Sequence, residues 1–205
     1  MRKIAHLISA ILHPLFMPLA CVFVAYTFDW YINGSLSADQ MQIIYLIVAF
    51  STIVFPAVNI LLLKWYGVVR TLKMESRAER NAPFISTVFF YGLGYYMLRK
   101  GALPESLFSI LVGYIAVLLL IIIINFRWKI SAHAAGIFGL IGAVVALFQV
   151  HSFGNIVLLS ILLLLGGLVI TSRLILAAHT PSESYSGAAV GFLTMYFCVY
   201  FGIFI

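Results

Sequence analysis

A chain of 205 residues, 64% hydrophobic and 9% charged with a mean hydropathy of +1.13, is too apolar for a soluble globular domain and falls in the membrane class. A net charge of +6 does not point to nucleic acid, because the basic residues lie scattered between apolar segments. Positive loops beside a bilayer, or an anionic lipid ligand, account for them better.

A helix that crosses the hydrocarbon core needs roughly 20 mostly apolar residues. In chain order the candidates lie near residues 5–29, 41–63, 83–98, 105–126, 132–150, 154–172 and 184–205. The expected fold is therefore all-α: a polytopic membrane helical bundle of six or seven transmembrane helices, forming a single domain over 1–205. The first segment follows Arg2 and Lys3 and reads as an uncleaved helix, kinked or delayed by Pro14 and Pro18. The third is the short one; at 1.5 Å per residue it reaches roughly 24 Å against a core of ~30 Å. Cys21 and Cys198 fall inside apolar spans and imply no disulfide framework. Asn33-Gly34, Gly101 to Pro104 and Gly154-Asn155 mark short connections.

Three polar clusters interrupt these segments: Lys73 to Arg80, Ser131 to His133, and Ser172 to Glu183. Ionisable groups at membrane depth are costly, so a functional site is the default reading. Two apolar segments separate the first cluster from the second, and two more the second from the third. If every segment crosses, all three clusters emerge on one membrane face.

Each cluster also has a plainer reading. Glu183 stands four residues after His179, where a carboxylate can fix the imidazole tautomer and leave its other nitrogen free to attack. Yet Thr180-Pro181-Ser182-Glu183 is equally a capping box with proline at the first helical position. Arg173 suits phosphate oxygens with its planar fork of donors, or simply snorkels at a helix end. Ser131 and His133 form an anion seat at a helix start, or an ordinary cap. Lys73 to Arg80 alone reads as a solvated loop helix. The remaining histidines, His6, His13 and His151, read as structural, and no cluster has metal-ligand spacing.

Together the clusters resemble the type 2 phosphatidic acid phosphatase superfamily of integral-membrane lipid phosphatases. That family carries, in order, Lys-x6-Arg-Pro, Pro-Ser-Gly-His and Ser-Arg-x5-His-x3-Asp. Here Lys73 and Arg80 keep the first spacing, Ser131-Ala132-His133 matches the Ser and His of the second, and Ser172-Arg173, His179 and Glu183 match the third with Glu for Asp. Gly187 and Gly191 look like the family's small-residue helix. The chain departs from the pattern at Asn81, Ile130, Ala132 and Glu183, and the resemblance covers about residues 70–195.

The resemblance implies a metal-independent lipid phosphatase without cofactor. His179 would be the nucleophile that becomes phosphohistidine, His133 the acid for the leaving oxygen, and Glu183 the partner orienting His179. Lys73, Arg80, Ser131 and Arg173 would bind the phosphoryl group. The implied partners are the bilayer and an anionic phospholipid or isoprenoid phosphate substrate: phosphatidic acid, phosphatidylglycerol phosphate, undecaprenyl diphosphate or a lipid A phosphate. No nucleic acid or obligatory protein partner is inferred.

A bacterial inner-membrane location is expected. With seven spans, ten of the twelve Lys and Arg fall on the motif face and only Arg99 and Lys100 on the other. The positive-inside rule then turns the motif face toward the cytoplasm. The alternatives are a transporter or flippase for a phosphate-bearing lipid, which internal symmetry would favour, and a non-catalytic member of the same family.

Overall fold

The computed structural model describes residues 1–71, 78–101 and 103–203. Every regular element among them is helical. The helices are α1 (Arg2–Ile11), α2 (Met17–Phe28), α3 (Trp30–Ser35), α4 (Ala38–Ala49), α5 (Phe55–Trp65), α6 (Ala78–Leu98), α7 (Glu105–Asn125), α8 (Ala132–Val150), α9 (Ile156–Ile175) and α10 (Pro181–Tyr200).

Five stretches are long and apolar enough to cross a membrane: Arg2–Phe28, Ala38–Trp65, Glu105–Asn125, Ala132–Val150 and Ile156–Ile175. The expected third and seventh spans correspond to α6 and α10. Both are long enough, with 21 and 20 residues. They fall outside the apolar set because tyrosine, serine, threonine and glycine dilute their hydropathy. The third element is also longer than expected: α6 begins at Ala78 and carries Arg80 within its first turn.

The first segment is divided. After α1 the chain turns at Leu12 and His13 into a short 3-10 turn, Pro14–Phe16, before α2 begins. The two prolines explain the break, since neither can donate to a continuous helical ladder. The second segment, Ala38–Trp65, is continuous but widens into a π turn at Phe50–Val54, just before Pro56. A Cβ on Gly94 of α6 would lie 2.3 Å from Ser51 Oγ, so only glycine lets α6 seat on that turn.

Helix α8 is the central post, packed against α2, α7, α9 and α10. Its closest partner is α10, and the reason is a row of missing side chains. A Cβ on Gly187 would come within 2.5 Å of the Ser131 carbonyl, and one on Gly191 within 2.0 Å of the Ala135 carbonyl. Small residues at a helix interface let backbones approach closely, which is how membrane helices gain packing energy. The outer faces carry exposed Phe23, Leu61, Phe89, Leu164 and Phe197, as lipid contact requires.

The far end of α8 is pinned separately. His151, its C-cap, pairs through Nδ1 with the Asp29 carboxylate and through Nε2 with Ser106 Oγ at 3.2 Å. Asp29 also accepts the amides of Tyr31 and Ile32 and so starts α3. His151 has no partner in the sequence pattern; its spatial partners come from α2, α3 and α7.

Candidate functional site

The opposite end of the bundle holds a cavity of about 390 Å³. Arg80, His133, Arg173 and His179 line one part of it. Residues from α6, α8, α9 and the α9–α10 loop therefore converge, across a sequence separation of about a hundred positions. Much of the rest is apolar, with Phe84, Val117, Leu118 and Ile121, while Thr87, Tyr91 and Tyr114 also line it. Charged donors and an apolar wall share one chamber.

His179 sits in the loop Leu176–Thr180 that turns α9 into α10. Ala177 adopts a positive φ of 50°, a bend that lets the chain leave the axis of α9. On a straight helix Arg173 and His179 would point about 240° apart; after the bend both line the cavity. His179 is buried, and its Nδ1 lies 3.0 Å from Glu183 Oε2. A carboxylate can only accept, so Nδ1 carries the proton and Nε2 is the bare nitrogen.

The same Oε2 accepts the Thr180 amide at 3.1 Å, and Thr180 Oγ1 accepts the Glu183 amide at 3.3 Å. The capping box and the imidazole partner, alternatives in the sequence, are one arrangement. The His179 pKa is lowered to about 4, by burial above all; Glu183 opposes the shift, and the charges of Arg80 and Arg173 add to it. At neutral pH the imidazole is uncharged and nucleophilic at Nε2.

His133 occupies the first turn of α8. Its Nε2 donates to the Ser9 carbonyl at 3.2 Å, which leaves Nδ1 as the exchangeable nitrogen. Arg173 donates through one terminal nitrogen to Ser9 Oγ at 3.4 Å, whereas its Nε is buried and has no hydrogen-bond partner among the described residues. Buried guanidinium donors left open are costly and suit an anionic ligand. Arg80 is buried at the cavity wall. Its neighbour Asn81, which stands where the family has proline, accepts from Asn125 Nδ2 at 2.9 Å and ties the start of α6 to the end of α7.

Of the expected phosphate-binding residues, Ser131 alone is described outside the cavity lining. Ser131 is fully buried and caps α8, its Oγ accepting the Ala134 amide at 3.3 Å, and it does not line the cavity. Its backbone amide donates to the Glu183 carbonyl at 3.0 Å, so it locks the start of α8 to the start of α10. Lys73 lies outside the described residues.

His13, which reads as structural in the sequence, has a place at the cavity. It lines the cavity beside His133, with the two rings edge to face and centroids 5.0 Å apart. The only available signal was His13-Pro14 inside an apolar segment, which marks a break but not a partner. Ser9, from α1, was equally silent although it touches both His133 and Arg173.

Comparison of the chain with protein-family models, with curated proteins and with solved structures finds no match.

Proposed function

We propose that this chain is a membrane-embedded phosphatase that removes a phosphate monoester or diphosphate from a lipid through a phosphohistidine. The observation that carries this reading is the buried His179, held by the half-buried Glu183, placed with Arg80, Arg173 and His133 in one partly apolar chamber. A phosphoryl group supplies the anion that the guanidinium groups want, and an acyl or isoprenoid tail matches the remaining wall. The motif resemblance to the type 2 phosphatidic acid phosphatases agrees with this assignment.

Nε2 of His179 attacks phosphorus, and the N–P bond forms as the P–O bond to the lipid breaks. Charge spreads over the phosphoryl oxygens in a loose transition state. Arg80 and Arg173, fixed in advance, meet that charge without reorganising. A substrate bound as the phosphate monoanion brings the proton, which passes from a phosphoryl oxygen through His133 Nδ1 to the leaving oxygen, while Nε2 keeps its bond to the Ser9 carbonyl. Neutral His133 Nδ1 then takes a proton from the attacking water. That water breaks the N–P bond, and the phosphate leaves carrying the proton back from His133 Nδ1, which restores both imidazoles. Glu183 holds the His179 tautomer throughout.

In this reading α6 and α10 cross the bilayer with the five apolar stretches, which makes seven spans. The site end then faces the cytoplasm by the distribution of Lys and Arg.

The test is phosphate release from a panel of lipid phosphates by detergent-purified protein in EDTA. Wild type should release phosphate, and His179→Ala should lose at least ~10³ in rate, as when a covalent nucleophile is removed. Release abolished by EDTA, or unaffected by the substitution, sinks the mechanism. Binding of the lipid without release would indicate a carrier or a non-catalytic relative.

A further inference from the structure

We infer that His13 is a third imidazole of the site, a fixed neutral donor that hydrogen-bonds a phosphoryl oxygen through Nε2. The inference rests on the phosphatase reading above and adds a group that neither the motifs nor the mechanism uses.

Three observations carry it. His13 lines the same cavity as His133, Arg173 and His179, and its ring meets that of His133 at 5.0 Å. Its Nδ1 accepts the Leu15 amide at 3.3 Å and caps the Pro14–Phe16 turn. An amide can only donate, so Nδ1 holds the lone pair and the ring proton sits on Nε2. The tautomer is set by the backbone, and the nitrogen with a hydrogen to give is the one the cap does not use.

The placement is built in from α8. A Cβ on Gly136 would fall 3.0 Å from Met17 Cγ and 3.3 Å from Pro14 Cα. Gly136 is one turn beyond His133, so its missing side chain lets the His13-Pro14 bend settle beside that imidazole. The bend is also anchored upstream, because Ser9 is buried and holds both His133 and Arg173. A surface turn would need none of this.

The chemistry divides the two rings. His133 keeps Nε2 on Ser9 and exchanges a proton through Nδ1. His13 cannot take a proton on Nδ1 without breaking its cap, so it is suited to donate a hydrogen bond and not to shuttle protons. A neutral imidazole donor aimed at a phosphoryl oxygen strengthens as charge grows there. It stabilises the transition state more than the ground state.

Two substitutions separate donor from cap. His13→Asn retains an oxygen that can accept the Leu15 amide, as asparagine does at helix starts, but its side chain is shorter than the imidazole. His13→Ala loses both functions. We expect His13→Asn to melt like wild type and to lose ~10²–10³ in kcat for lipid phosphate, the loss typical of one oxyanion donor. Inhibition by orthovanadate, which mimics the five-coordinate transition state, should weaken far more than inhibition by inorganic phosphate.

Wild-type kcat and vanadate inhibition in His13→Asn, with loss only in His13→Ala, would overturn the donor role and leave a cap. Equal weakening of vanadate and phosphate would also overturn it, since His13 would then contribute only ground-state binding. If wild type itself releases no phosphate from any lipid, the phosphatase reading fails first and this inference falls with it.

Discussion

At the scale of single residues, one carboxylate oxygen does two jobs. Glu183 Oε2 accepts both the Thr180 amide and the His179 imidazole. Glutamate at the third helical position is long enough to reach back to the cap. Glu183→Gln should therefore keep the cap, since glutamine also closes capping boxes, while removing the charge that stabilises the imidazole. Phosphate release should fall by ~10²–10⁴ with the melting temperature little changed, by analogy with the loss of an orienting carboxylate in other histidine sites.

The pH profile is a second test at this scale. Because the His179 pKa is lowered to about 4, mainly by burial, its imidazole stays neutral well below the usual histidine range. The acid limb of kcat/KM should lie near about 4 and not near ~6.5. The sign for stability is the same. A depressed histidine pKa favours the fold above the unfolded value, and that contribution is lost as pH falls from ~6.5 through about 4. A melting series over this window in wild type and His179→Phe measures it.

At the scale of elements, the α8–α10 contact sets the site. The first turn of α8 carries His133, the loop into α10 carries His179, and the helices touch through backbone. A Cβ on Gly191 has no room, with the Ala135 carbonyl at 2.0 Å, and a carbonyl in a helix cannot step aside. Gly191→Ala should destabilise the protein by about 1–3 kcal/mol, the range for overpacking, and lower activity by moving the imidazoles apart. Gly167→Ala on α9 meets nothing within 4 Å and should be neutral or slightly stabilising through helix propensity. Thermal unfolding in detergent distinguishes the pair.

At the scale of the whole molecule, the features legible in sequence are the ones set locally. Apolar length marks helices, and capping chemistry marks the start at Thr180–Glu183. The i, i+4 spacing of His179 and Glu183 lies within one turn, so their contact could be anticipated. His13 could not, because its partner is 120 residues away and the approach depends on Gly136 of another helix. The split of the first segment into α1 and α2 was half visible in Pro14 and Pro18. The π turn at Phe50–Val54 has no comparable signature, and Ser131 could be read as either anion seat or cap until its burial showed the cap.

The shared oxygen of Glu183 has a consequence for the site. The bond that starts α10 and the bond that orients His179 end on one atom, so fraying of that helix end would free the imidazole without disturbing the rest of the bundle. The Thr180 amide would report the change. If His179 is the nucleophile proposed above, the hydrogen-exchange rate of that amide should track the fraction of molecules able to react.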